Sequence, residues 1–302
     1  MKPAPFEYHA PRTVDEAVAV LGEVGHDGKV LAGGQSLVPI LNMRLASPAH
    51  LVDVNQVGGL DEVRVTDEEV RVGALARQAS VEHHDDAYAA LPLLRQALTW
   101  VAHPVIRNRG TVVGSLAHAD PSAELPAVLV LTGGVVEVVG RGSREVAAAD
   151  FFHGPLETAI EPDELAVAVR FRRFPSGTGT TFVERSRRHG DYALAGAAAA
   201  VTVADGVVRS ARVSLVSVTD VPDVLDLTDR CEGREPAEVD WAAADDAVRD
   251  HCDPVSDIHA TAEYRIALAC ELTRRALAEA TANATGDHAV DHATPSTSGS
   301  RA

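Results

Sequence analysis

The sequence is poor in the residues that hold metal clusters. Its three cysteines, Cys231, Cys252 and Cys270, lie far apart, with no CxxC spacing in a chain of 302 residues. An iron–sulfur cluster needs four thiolates and a zinc ribbon needs paired ones, so neither is expected here. Lysine is nearly missing, present only as Lys2 and Lys29, and 27 basic residues face 44 acidic ones for a net charge of −17. Charge of that sign opposes binding to a phosphate backbone and argues against a nucleic-acid partner. No apolar run is long enough to span a bilayer, and the N-terminal MKPAPFEYHAPR lacks the apolar core of an export signal. The expectation is a soluble, cytoplasmic protein. Two histidine pairs, His83-His84 and His288/His292, read as solvated side chains, because the first faces different directions on a helix and the second sits in a polar tail.

What is present is an ordinary globular balance, 46% hydrophobic and 24% charged, in a chain long enough for two or three modest domains. Thr13-Val14-Asp15-Glu16 is a capping box, with the Thr13 hydroxyl and the Glu16 carboxylate each set to satisfy the other's backbone N–H. Val14, Ala17, Val18 and Leu21 share one face of the helix it opens. Strands are expected at Lys29 to Ala32 and Leu51 to Val54. Hairpins are expected over Glu62 to Gly73 and over Val135 to Ala148, and helices over Ser80 to Ala90 and Pro92 to His103. Leu165 to Phe171 alternates as a half-buried strand should. Phe174 to Thr180, FPSGTGT, reads as a flexible hinge. Beyond it, strands Ala195 to Val203 and Val207 to Val218 flank the turn Asp205-Gly206, and helices Pro236 to Asp250 and Ile258 to Ala280 follow. The last residues, from Thr281, have few large apolar side chains and are expected to be disordered.

Two stretches carry the chemistry. Arg107 to Pro126, RNRGTVVGSLAHADPSAELP, reads as a long irregular loop between buried segments, and such loops are usually functional. Upstream, Ala32-Gly33-Gly34-Gln35-Ser36-Leu37 follows a strand and opens a helix, the arrangement that aims backbone N–H groups at an anion. It is not GxGxxG, so a nicotinamide site of the doubly wound type is not supported. With no Walker-type lysine in either loop a triphosphate is not expected. Two neutral, donor-rich loops suit a diphosphate. Ser115, His118 and Asp120 are too close in sequence for a hydrolase triad, and no nucleophile elbow surrounds Ser115. Asp120 and Glu124 are placed to accept from hydroxyls of a sugar-like chain, or to serve as a turn-former and a helix cap. Tyr192 is either a packing residue at a strand start or an aromatic cover for a ring.

AGGQSLVPILNMRLASPAHLVDVN, VAHPVIRNRGTVVGSLAHADPSAELPA and RRHGDYALAGAAAAV, in that order, resemble the FAD-binding medium subunit of the molybdenum hydroxylases. That family includes aerobic carbon monoxide dehydrogenase and xanthine-dehydrogenase-like enzymes. The resemblance runs from Phe6 to about Ala280. It implies an α+β fold: a two-subdomain FAD-binding domain of the vanillyl-alcohol-oxidase (PCMH) type over residues 1–175, divided near 57, then a C-terminal α+β domain over 176–280 and a tail over 281–302. By the same resemblance Ala32, Gly33, Gly34, Gln35, Ser36, Leu37, Thr111, Gly114 and Ser115 hold the FAD diphosphate. Asp120 bonds ribityl or ribose hydroxyls with Glu124 close by, and Tyr192 lies near the isoalloxazine. The family usually has glycine where this chain has Val113, a bulkier residue that tolerates positive φ poorly.

The implied role is an oxidoreductase subunit passing electrons from [2Fe–2S] clusters through FAD to NAD, a quinone or oxygen. A small iron–sulfur subunit and a large molybdenum-cofactor subunit would be its partners, in a dimer of heterotrimers. No catalytic residue and no metal are expected on this chain. Two other readings stand beside this one: a scaffold subunit that binds FAD weakly or not at all, and a self-sufficient FAD oxidase.

Overall fold

The computed structural model describes residues 2–286. The first unit is a small parallel sheet. β1 (Glu7–His9) and β2 (Gly28–Leu31) flank β3 (His50–Asp53), each running parallel to it. Helix α1 (Val14–Val24) and helix α2 (Leu37–Met43) connect them. Ala17 and Leu21 are buried on the inner face of α1. Its cap is nearly as expected. Thr13 Oγ1 accepts from the Glu16 N–H at 3.1 Å, but Glu16 reaches the N–H of Arg12 at 2.7 Å rather than that of Thr13.

The second sheet is antiparallel. β4 (Val63–Val65) and β5 (Glu69–Gly73) form the first hairpin and β6 (Val135–Val139) with β7 (Ser143–Ala147) the second; the order is completed by β10 (Leu165–Arg172) between β5 and β6. A two-stranded ribbon, β8 (Phe152–Gly154) and β9 (Glu157–Thr158), precedes β10. β10 was expected to be half-buried. It is central in the sheet, and Leu165 to Val169 and Phe171 are buried, while Arg170 and Arg172 lie on the other, partly exposed face. Arg71, Glu137 and Arg170 ladder across its strands, with Arg71 bidentate to Glu137.

Between the hairpins lies a run of short helices: α3 (Gln78–Glu82), α4 (Asp85–Ala90), α5 (Pro92–Leu98), α6 (Pro104–Arg107), α7 (Val112–His118) and α8 (Glu124–Leu131). The stretch expected to be a long irregular loop is therefore mostly helical. Thr111 is an N-cap whose hydroxyl accepts from the Gly114 N–H at 3.0 Å, and Ala119 closes α7 in the left-handed conformation. The many small and turn-forming residues hid this: each helix is only a turn or two, too short to show a 3.6-residue period. His83-His84 has a local role at the α3–α4 corner, where His84 Nδ1 caps α4 by accepting from the Ala87 N–H. His288 and His292 lie outside the described residues.

The third sheet runs β11 (Thr178–Ser186), β12 (Ala193–Ala204), β13 (Val207–Val216) and β14 (Leu225–Asp226), antiparallel throughout. Pattern reading missed β11, having taken its start as a hinge. The FPSGTGT segment is tied down: the Thr178 N–H bonds Pro175 O and the Val203 N–H bonds Gly177 O. Behind the sheet, α9 (Asp245–His251) and α10 (Ala262–Thr285) cover one face. The expected helix from Pro236 is mostly 3-10 turns before α9, and α10 begins at Ala262 and runs five residues into the segment expected to be disordered. Phe182, Ala193, Ala198, Ala200 and Val216 of this sheet belong to the same hydrophobic core as the helices α5 and α8. The third sheet thus packs against the segment that carries the second loop.

Candidate cofactor site

The two donor-rich loops touch backbone to backbone at Gly33 and Gly110, 77 residues apart in the chain. A Cβ built on Gly33 would fall 2.4 Å from Arg109 O and 2.8 Å from the Gly110 Cα. Only a residue without a side chain fits there. Gly34 takes φ +71°, the left-handed turn that swings the chain from β2 into α2.

A hydrogen-bond chain locks this contact. The Asn55 side-chain amide donates to Ala32 O at 2.8 Å, and Arg77 donates to Asn55 Oδ1 and to Arg109 O, both at 2.7 Å. Backbone pairing adds to it, with the Gln78 N–H on Gly110 O at 2.9 Å and a bridge between Arg77 and Thr111. Asp53 positions Asn55 by accepting from its backbone N–H at 3.0 Å, and Tyr8 donates to Asp53. Sequence reasoning missed Asn55, Arg77 and Asp53. Asn55 closed the first quoted motif, but nothing in that motif marks an amide that reaches back to Ala32. A cleft of about 450 Å³ opens beside the clamp, lined in part by Asn55, Gly58, Arg77 and Ser80. A larger hollow of about 520 Å³ at the Arg141 to Arg144 turn shares no residue with either loop.

The residues present fit a diphosphate. Among the described residues, the backbone N–H groups of Gly34, Gln35, Ser36 and Leu37 donate to no protein acceptor. In the second loop the Gly114 and Ser115 N–H groups bond Thr111, while the Val113 N–H and the Ser115 hydroxyl donate to no protein acceptor among the described residues. Val113 is helical and 3% exposed, so the concern over positive φ at this position does not arise. A Cβ on Gly114 would stand 2.6 Å from Thr111 Oγ1, so a larger residue there would make that hydroxyl shift.

Asp120, Glu124 and Tyr192 form a second cluster where the third sheet meets α7 and α8. Asp120 Oδ1 accepts from the Ser122 N–H at 2.9 Å, so the turn-former role is realised. The Ser217 N–H bonds Pro121 O at 2.9 Å, which ties this turn to the end of β13. Tyr192 is 70% exposed, following a turn in which Gly190 takes φ +84°. A Cβ on Gly190 would meet the His103 ring at 2.5 Å, so this turn lies against the start of α6. Loss of hydration, then the charges of Asp120 and Glu124, raise the Tyr192 phenol above its ordinary value.

Burial pushes the Glu124 carboxyl up to about 7, with Asp120 adding to the effect and Arg107 opposing it. Glu184, on β11, is pushed up to about 9 by burial and by Glu124. It is 6% exposed and its Oε2 has no hydrogen-bond partner. Glu184 therefore holds its proton at neutrality, whereas Glu124 is divided between its protonated and charged forms there. Glu184 was not foreseen, because the strand that carries it was not. Arg107, 7% exposed, is neutralised by a bidentate bond to Glu82 and also donates to Val101 O.

A family model for the FAD-binding domain in molybdopterin dehydrogenase matches residues 4–173, and one for the CO dehydrogenase flavoprotein C-terminal domain matches residues 180–280. The chain belongs to the FAD-binding medium subunits of the molybdenum hydroxylases. It is 39% identical to the 6-hydroxypseudooxynicotine dehydrogenase complex subunit alpha of Paenarthrobacter nicotinovorans, over 93% of this chain and 96% of that one. It is 38% identical to the carbon monoxide dehydrogenase medium chain of Afipia carboxidovorans, over 94% and 99%. Among solved structures, a chain of reconstituted CO dehydrogenase from Oligotropha carboxidovorans superposes with a TM-score of 0.89 at 36% identity, over 94% of this chain and 100% of that one. The protein is thus an FAD-dependent oxidoreductase subunit of α+β fold. No helix among the described residues is long and apolar enough to cross a membrane.

Proposed function

We propose that this chain is the electron-transfer subunit of a molybdenum-containing hydroxylase complex, standing between [2Fe–2S] clusters of a small partner subunit and an external acceptor. A large subunit carrying the molybdenum cofactor would complete the assembly, a dimer of heterotrimers in the cytoplasm. The observation that carries the proposal is the locked contact of the Gly33 and Gly110 backbones, with free N–H groups on both loops.

Ala32 to Leu37 bind the diphosphate through backbone N–H groups, and the Val113 N–H and the Ser115 hydroxyl present the opposing donors, on the turn that the Thr111 and Gly114 cap shapes. Asn55 and Arg77 hold the two loops at fixed spacing, so the donors need no reorganisation on binding. Asp120 and Glu124 accept from hydroxyls of the sugar-like chain. Tyr192 lies near the isoalloxazine and keeps solvent from its face. When bound, the flavin supplies the ability to take electrons singly and give them up in pairs. The division into residues 1–175, with a small subdomain to about 57, and 176–280 follows the same reading.

The scaffold alternative rested on Val113, and its helical, buried placement removes that support. The experiment is made on the assembled complex with its flavin stripped. Substrate should still reduce the [2Fe–2S] centres, seen by electron paramagnetic resonance, while reduction of the acceptor stops and returns when FAD is added. Unchanged acceptor reduction without FAD would establish the scaffold reading. Turnover of an organic substrate by the isolated chain would establish the oxidase.

A further inference from the structure

On the small sheet, away from the residues assigned to FAD, three side chains converge from two neighbouring strands. Strand alternation puts Glu7 and His9 on one face of β1, and the parallel register sets His50 of β3 opposite Glu7. His9 Nε2 and His50 Nδ1 stand 3.1 Å apart, and the Glu7 carboxylate is 3.5 Å from the same His50 Nδ1. All three donor atoms lie within 4.8 Å of one another.

We propose that Glu7, His9 and His50 form a binding site for a divalent transition-metal ion of the zinc class. In a tetrahedral site with bonds of about 2.0–2.1 Å, neighbouring donor atoms are about 3.3 Å apart. The two measured separations straddle that value. The histidine pair explains itself less well without a metal: two imidazole nitrogens facing each other can share only one proton, and a bound cation takes that proton's place. One carboxylate and two imidazoles form the mixed nitrogen and oxygen set that suits zinc, and the fourth position is left to water.

The donors are held by the ladder rather than by a loop. The Glu7 N–H bonds Ala49 O at 2.8 Å, and the rings of His9 and His50 pack at 5.3 Å between centroids. The His50 side chain is 24% exposed and that of Glu7 is 76% exposed, so an ion enters from solvent. Its effect is to staple a three-residue strand onto the sheet that carries the first loop. Because a cation that binds only the folded chain raises its stability by mass action, the melting temperature should climb with metal concentration.

The test uses the full chain after dialysis against a chelator. Calorimetric titration with zinc chloride should show a saturable site that is absent or at least about tenfold weaker in His50→Ala and His9→Ala, since even the outer partners of a ligand are worth about 10–100-fold. Glu7→Gln changes an exposed side chain and keeps the fold, yet should weaken binding in the same direction. Cobalt(II) should give the visible bands of tetrahedral coordination with the wild type and lose them with each variant. FAD affinity should be unchanged in all three, which separates this site from the cofactor loops. Equal zinc affinity in the wild type and Glu7→Gln and His50→Ala, or no saturable binding by the wild type, overturns the proposal.

Discussion

Gly33 and Gly110 approach so closely that a methyl group on Gly33 would stand 2.8 Å from the Gly110 Cα. No flexible side chain is involved, so nothing can move aside without parting the two loops. The spacing of the two loops is therefore built into the main chain, and Asn55 and Arg77 hold it there.

Glu184 makes stability depend on pH. Its carboxyl is pushed from 4.5 to about 9 in the folded chain, so the folded state holds the proton more tightly than the unfolded state. The contribution is complete below pH 4.5 and is lost as pH rises towards 9. Within that window the slope approaches about 1.4 kcal/mol per pH unit for this one group. Glu184→Gln should flatten the slope and raise the melting temperature most at the alkaline end. Thermal melts of both proteins across the window check this, and parallel profiles would refute it.

The Arg107–Glu82 pair should prove costly to break from one side. Both side chains are nearly buried, 9% and 12% exposed. Glu82→Ala leaves the guanidinium without its counter-charge and should cost about 3–5 kcal/mol. Denaturant unfolding measures it. A loss below about 1 kcal/mol would mean the charge finds water on relaxation.

Cysteine reactivity is the third expectation. Cys231, Cys252 and Cys270 are all buried and free. Burial pushes the Cys231 thiol up to about 11 and the Cys252 thiol up to about 12, and raises Cys270 in the same direction. Thiolates are the reactive form, so iodoacetamide at neutral pH should leave the native chain unlabelled and modify all three after unfolding. Mass spectrometry reads the result directly.

The glycine turn after β2 was legible because its chemistry is local. Glycines after a strand announce a sharp turn wherever they fold, and Gly34 takes the positive φ that such a turn needs. The clamp was not, since Asn55 and Arg77 act through carbonyls of Ala32 and Arg109, contacts that only tertiary structure creates. Helix α7 was hidden by its length and by Gly114, which reads as loop but serves the Thr111 cap. Strand β11 begins in FPSGTGT, whose turn residues masked Thr178 to Ser186 and with them the buried Glu184. The Glu7, His9 and His50 group needs the register of β1 on β3. Tyr8 between the two β1 ligands is the one local sign, an E-Y-H alternation that places Glu7 and His9 on the same face.

The most direct measurement compares FAD binding by the wild-type chain and by Gly33→Ala, with Gly22→Ala as a control. A Cβ on Gly22 meets nothing within 4 Å, and as a helix-interior site it should gain about 0.5–1 kcal/mol of stability on substitution while keeping its FAD. Flavin fluorescence quenching on titration gives each dissociation constant. If the meeting of the two loops holds the cofactor, Gly33→Ala should remain folded by circular dichroism and bind FAD at least about 100-fold more weakly, a difference of about 2.8 kcal/mol. A folded Gly33→Ala chain with the wild-type affinity would contradict the account.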